Sequence, residues 1–127
     1  MVLQLKGVCK VANDDKVIIV EGLTDKKQIE KIITESVIIL CTHGTYDLER
    51  FDELIEKYEL DHRDVYILVD EDDAGKELRK QIIRELPHST HVHVSEEYKE
   101  VAATPENLLA NIFVRHNIKV NPFYLQL

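Results

Sequence analysis

The chain is short of positive charge, of cysteine and of long apolar runs, and each shortage excludes something. Against 24 Asp and Glu stand 16 Lys and Arg, a formal net charge of −8 over 127 residues. Nonspecific binding to nucleic acid is largely electrostatic, so this balance argues against it while leaving room for a local phosphate site. The two cysteines, Cys9 and Cys41, lack paired metal-type spacing and read as reduced thiols of a cytoplasmic chain. No apolar run approaches the ~20 residues of a membrane span, so no membrane partner is expected. The start, Met1-Val2-Leu3-Gln4-Leu5-Lys6, has neither the apolar segment nor the cleavage site of a signal peptide. Repeats, low-complexity segments and linkers are also absent. What remains, 44% apolar and 31% charged, is the composition of a soluble globular protein. A chain of this length is expected to form one domain over residues 1–127, burying somewhat under ~70% of its unfolded surface.

Strands and helices alternate along it. Val2, Leu3, Leu5 and Val8 fit a short edge strand, and Asn13-Asp14-Asp15 a turn. Val17-Ile18-Ile19-Val20 is a continuous apolar run, the pattern of a strand buried on both faces, and ends at Glu21-Gly22. Thr24 or Asp25 is expected to cap a helix whose inner stripe is Ile29, Ile32 and Ile33. Val37-Ile38-Ile39-Leu40 reads as a second strand, followed by Cys41-Thr42-His43-Gly44-Thr45. Asp47 is expected to start a helix carrying Leu48, Phe51, Leu54, Ile55 and Tyr58 inward. A third strand, Val65 to Val69, precedes a helix with Leu78, Ile82, Ile83 and Leu86 on one face. Pro87 breaks the chain, and His91-Val92-His93-Val94 alternates as a short strand. Ser95 to Ala103 reads as loop. Thr104, as a cap, and Pro105, as first helical residue, open a final helix bearing Leu108, Leu109, Ile112 and Phe113. The motif-bearing core spans about 16–94 and the last helix and tail 104–127, by the same pattern reading. The class is α/β: a doubly wound, mainly parallel sheet of about four strands with helices on both faces.

The organising stretch is Val65-Tyr66-Ile67-Leu68-Val69-Asp70-Glu71-Asp72-Asp73-Ala74-Gly75. A buried strand ends in four carboxylates and a glycine, at the strand end where open α/β sheets bind ligands. Two carboxylates about 4 Å apart repel by roughly 4 kcal/mol at an effective dielectric of 20. Such crowding persists if a cation neutralises it, if one group is protonated, or if the groups point apart. Oxygen-only ligands favour a hard cation such as Mg²⁺. The plainer reading is a solvated turn in which Asp72 or Asp73 caps the next helix. Gly75 allows a close approach of backbone. In a doubly wound sheet the strands ending in Glu21 and Asp70 could be neighbours, which would gather Glu21, Asp70 and Asp72 on one rim with Asp25 and Asp73 behind.

Together, Val20-Glu21-Gly22-Leu23-Thr24-Asp25 and Asp70-Glu71-Asp72-Asp73-Ala74-Gly75, with Gly44 after the middle strand, resemble the signature motifs of the Toprim domain. That domain is shared by topoisomerases, bacterial primases, certain nucleases, recombination-repair proteins and a ribosomal-RNA maturase. The resemblance covers most of the chain; the chain's size is similar to that of the small stand-alone Toprim proteins, and it most resembles the catalytic domain of the ribosomal-RNA maturase, which implies RNA processing. It implies that Glu21 is a general acid or base, and that Asp70 and Asp72, with Glu21 beside them, hold Mg²⁺ or Mn²⁺. Glu21, Asp70 and Asp72 are thus the expected catalytic and metal residues. Gly22, Gly44 and Gly75 are implied to keep their loops tight, and Asp25, Lys26, Asp73 and Lys76 to support the site or meet substrate. The implied function is Mg²⁺-dependent chemistry on nucleic-acid phosphodiesters, RNA or DNA, of nuclease or nucleotidyl-transfer type. The alternative is a noncatalytic Toprim module that binds nucleic acid or a protein partner. No tyrosine-bearing, zinc-ribbon or helicase-like domain accompanies the motifs, which argues against a topoisomerase or complete primase. Glu71 and Asp73 exceed what the motif requires and could hold a second metal, or repel phosphate until metal binds.

Other features divide between functional and structural readings. A response-regulator receiver also places acidic strand ends over Mg²⁺, but would need an acidic pair after its first strand and a lysine ending a late strand. His88, His91 and His93 could serve a metal, though two residues sharing one strand face is also what a surface offers. Lys76, Arg79, Lys80 and Arg84 could track a nucleic-acid backbone, or form a solvated face interrupted by Glu77 and Glu85. Thr42, His43 and Thr45 border the expected rim. Cys41 reads as a small buried apolar residue. The apolar tail from Asn117 to Leu127 could pack on the body or support a homodimer.

Overall fold

The computed structural model describes residues 15–43, 48–95 and 97–125. The suggested edge strand at Val2–Val8, Cys9, Gly44, Thr45, Asp47 and the Leu48 side chain lie outside them. Four strands, β1 (Lys16–Val20), β2 (Val37–Cys41), β3 (Val65–Leu68) and β4 (Thr90–Val92), form one sheet in the order β2-β1-β3-β4. Every pairing is parallel, with Val17 opposite both Ile38 and Val65 and Ile67 opposite His91. Four helices connect or follow them: α1 (Leu23–Ile32), α2 (Leu48–Tyr58), α3 (Asp73–Glu85) and α4 (Glu106–Arg115). This is the doubly wound α/β arrangement expected from the alternation of elements.

Strand side chains alternate between faces, so β1 serves two cores at once. Ile18 and Val20 pack with Ile29 and Ile32 of α1 and Leu109 and Phe113 of α4. Val17 and Ile19 pack on the opposite side with Phe51 of α2 and Leu78 and Ile82 of α3. All four strand residues are at most 1% exposed, the reason their sequence is a continuous apolar run rather than an alternating one.

Several local expectations shift. The N-cap of α1 is Gly22, not Thr24 or Asp25; Asp25 sits in the first turn and its Oδ2 accepts the Gly22 N–H at 3.1 Å. Pro105, not Thr104, caps α4, because the Thr104 hydroxyl donates to the Glu100 carbonyl at 2.8 Å instead. The tail packs on the body through Asn121. Ile33 and Val120 form an antiparallel bridge, and the Asn121 N–H donates to Ile32 O at 2.8 Å. Beyond it Phe123 is 68% exposed.

Glu35 ties the start of β1 to this tail. One of its oxygens pairs with Lys16 Nζ at 2.9 Å and the other accepts the Lys119 N–H at 2.7 Å. Burial opposes the charged form, but the Lys16 and Lys119 hydrogen bonds outweigh it and hold the carboxyl below its ordinary value. A depressed folded pKa contributes stability above the unfolded value and loses it as pH falls through the folded one. Glu35→Gln should therefore cost about 1 kcal/mol at neutral pH. Denaturant melts of parent and variant should converge as the solution is acidified through that folded pKa.

Candidate active site at the carboxyl ends of β1 and β3

Because β1 and β3 are hydrogen-bonded neighbours, their last residues meet on one rim. Glu21 leaves β1 half-buried, and its Oε2 accepts the Asp70 N–H at 2.8 Å, so the glutamate of one strand fixes the backbone of the other. Asp70 Oδ1 accepts the Val101 N–H at 2.9 Å. Asp72 is the N-cap of α3, its Oδ1 accepting the Gly75 N–H at 2.8 Å. Each of the three carboxylates thus spends one oxygen on orientation. The other oxygen of each has no hydrogen bond among the described residues.

The electrostatics match a crowded rim. Burial pushes Glu21 above the ordinary carboxyl value; the Asp70 N–H opposes this, and the charges of Asp70, Asp72 and Asp25 add to the rise. Asp25, buried behind the rim, is also raised, by burial first, with the Gly22 N–H opposing and Asp70 and Glu100 reinforcing.

The glycines differ in what they do. A Cβ on Gly75 would lie 1.9 Å from the Asp70 carbonyl oxygen and 2.8 Å from its carbon, so the first turn of α3 touches the acidic loop at this point. Gly22 has no such need: its nearest neighbour would be Asp25 Oδ2 at 3.8 Å, and its φ of −135° suits any residue.

Glu71 and Arg79 are placed otherwise than their local pattern implies. Glu71 does not face the rim, as a second metal ligand would have to. Its Oε2 accepts from Arg79 Nη2 at 2.8 Å and lies 3.1 Å from His93 Nδ1, in a side chain only 10% exposed. Arg79 belongs neither to a solvated face nor to a nucleic-acid track, being 5% exposed, whereas Lys76, Lys80 and Arg84 are exposed. The three histidines do not converge. His88 Nε2 lies 3.0 and 2.9 Å from the Leu60 and Arg63 carbonyls, while His91 and His93 stack beside Arg79 and Glu71. Burial and then the Arg79 and His93 charges push the His91 ring below its ordinary value, and its Nδ1 lies 3.4 Å from Arg79 Nη1. Cys41 is half-buried with its Sγ directed at Gly22 O, and burial raises its thiol.

The segment after β4 has the sequence pattern of a loop, yet it straps the site. Lys99 O accepts the Glu71 N–H at 2.7 Å, and Val101, fully buried, supplies the N–H to Asp70. Gln28 of α1 holds the far end of the strap through Thr104 O at 3.1 Å. Lys99 takes a left-handed backbone (φ 60°), an uncommon one for a residue with a Cβ. The buried Val101 amid polar neighbours was the available clue. Of the remaining candidates, Lys26 is half-buried on the first turn of α1, and Asp73 and Lys76 are exposed on the first turn of α3.

The donor set suits a hard cation: oxygen only, from neighbouring strands. Among the described residues no three His, Cys, Asp or Glu groups stand converged as a metal cluster. Few protein ligands with retained waters is the manner in which Mg²⁺ is ordinarily held. Asp70 and Asp72 would hold it through their unbonded oxygens, with Glu21 adjacent.

The Toprim domain model matches residues 16–97. A structure described as a small TOPRIM domain protein from Bacillus stearothermophilus superposes with a TM-score of 0.82 at 40% identity, covering 89% of this chain and 94% of that one. An uncharacterized protein, YusF, of Bacillus subtilis (strain 168) is 46% identical over 112 residues, 88% of this chain and 75% of its own length. The chain belongs to the Toprim domain family. Domains of this family generally bind Mg²⁺ and act in nucleic-acid metabolism. That membership leaves the receiver reading without support. No helix among the described residues is long and apolar enough to cross a membrane.

Proposed function

We propose that this protein carries out Mg²⁺-dependent chemistry on nucleic-acid phosphodiesters, of nuclease or nucleotidyl-transfer type, at the rim formed by Glu21, Asp70 and Asp72. The observation that carries the reading is the Glu21–Asp70 bond across two strand ends, which brings three carboxylates to one edge while each keeps one oxygen unbonded. Mg²⁺, when bound, offsets the charge that develops on a phosphodiester in its transition state. The chain's own residues supply the rest. Glu21, with its proton affinity raised by burial, can take or give a proton at its unbonded Oε1. Lys26 and Lys76 flank the rim from the first turns of α1 and α3, where a phosphate backbone would be met. The same rim without turnover would make a binding module, and a screen over structured RNA, single-stranded DNA and duplex DNA separates the two.

Asp70→Asn with Asp72→Asn tests the metal. Asn caps a helix about as well as Asp, and an amide oxygen can still accept the Val101 N–H, so the change removes charge and keeps geometry. Calorimetry should show Mg²⁺ and Mn²⁺ binding to the parent and not to the double variant. Saturating metal at 100 times Kd should stabilise the parent by about 2.7 kcal/mol, with no increment in the variant. Unchanged binding would place the metal elsewhere.

A further inference from the structure

The motif requires Asp70 and Asp72 on the rim but says nothing of what turns them there. The loop bends at Glu71 and Asp72, and the two rim aspartates flank Glu71. Drawing the Glu71 side chain inward fixes the backbone that carries its neighbours Asp70 and Asp72. Arg79 is placed to do the drawing. It comes from the second turn of α3, and Nη2 donates to Glu71 Oε2 at 2.8 Å, to Val92 O at 2.6 Å and to Val69 O at 3.2 Å. Nη1 donates to Ile67 O at 3.2 Å and lies 3.4 Å from His91 Nδ1. One buried guanidinium thereby joins the carboxyl ends of β3 and β4 to the middle residue of the acidic loop. Only its Nε lacks a partner.

We propose that Arg79 is the positioning residue of the rim, setting the direction of Asp70 and Asp72 through its hold on Glu71. The cation-binding consequence rests on the rim being the metal site; the positioning itself does not. A planar fork that spans several acceptors cannot be replaced by the point charge of an ammonium. That separates positioning from charge. A buried cation that merely sat near the site would weaken metal binding by repulsion, so removing its charge would tighten binding and Arg79→Lys would leave it unchanged. Positioning predicts the opposite sign.

Mg²⁺ and Mn²⁺ titrations of the full chain should show affinity falling ~10-fold or more in Arg79→Lys, the usual effect of disturbing a partner that orients a ligand. Glu71→Ala cuts the same tie while leaving Arg79 its three carbonyls, and should lose affinity similarly should the Arg79 variants fold poorly. The metal-free readout is amide hydrogen exchange. The Asp70, Glu71 and Val101 amides, bonded to Glu21, Lys99 and Asp70 respectively, should exchange ~10-fold faster in Glu71→Ala, with the β1 amides unaffected. If the parent binds neither cation but these amides loosen, the positioning stands and the metal reading fails. Parent-like affinity and parent-like exchange in both variants would overturn the inference, as would tighter metal binding by Arg79→Lys.

Discussion

Glu21→Gln should leave metal and nucleic-acid binding within a few-fold of the parent and reduce turnover by about 10²–10⁴, the usual worth of a positioned acid or base. The isostere preserves what Glu21 does structurally, since a glutamine oxygen can accept the Asp70 N–H that Glu21 Oε2 now accepts at 2.8 Å. It removes what only a carboxyl can do, which is to exchange a proton in the range set by its burial and its neighbours Asp70, Asp72 and Asp25. It also relieves repulsion at the rim, so the variant's metal-free melting temperature should equal or exceed the parent's. Binding by anisotropy and cleavage by gel, at one fixed salt concentration because backbone contacts are salt-sensitive, form the paired measurement. Parent cleavage matched by the variant would remove Glu21 from proton transfer. Saturable binding with no cleavage of any substrate by the parent would identify a noncatalytic module.

The largest effect on the fold should come from Gly75→Ala. Alanine ordinarily improves a helix by about 1 kcal/mol over glycine. Here the new methyl would stand 1.9 Å from the Asp70 carbonyl oxygen, a backbone atom that cannot rotate away. The Asp70–Glu71 peptide would have to move, and with it the Glu71 N–H bonded to Lys99 O and the Asp70 carboxylate bonded to Val101 N. A net loss of about 3 kcal/mol, or about 10 °C in melting temperature, is expected, together with weakened metal binding. Gly22→Ala is the control. With no atom nearer than 3.8 Å to its added carbon and an ordinary φ, it should shift stability by less than about 0.5 kcal/mol. Equal, small effects at both glycines would contradict the close approach at Gly75.

Much of this architecture was legible before any coordinates. The runs Val17–Val20 and Val65–Val69 announce strands buried on both faces because helices cover both, and a parallel sheet with right-handed crossovers then follows from the alternation. Asp72 as a cap and Gly75 as a point of contact are local, since their partners stand three and five residues away. The misjudged residues depend on distant ones. Helical spacing places Arg79 near Lys76 and Lys80, but its side chain reaches the carbonyls of Ile67 and Val69 at the end of β3 and of Val92, the last residue of β4, which no periodicity records.

By itself, then, the sequence determined the parallel α/β sheet, the two acidic strand ends and a cap at Asp72 or Asp73, because periodicity, strand burial and capping act within a few residues. Only the tertiary structure decided that Glu71 turns inward to Arg79 and that the strap at Lys99–Val101 closes on Asp70. Val101 stands 31 residues along the chain from Asp70, and Glu71 22 from His93. Whether such groups meet depends on strand order and on which side chains the packed sheet leaves without water. A charged residue on a polar helix face carries the same local pattern whether it ends in solvent or among backbone carbonyls, and the hydrogen bonds of both terminal nitrogens of Arg79 offset the desolvation that the second arrangement costs.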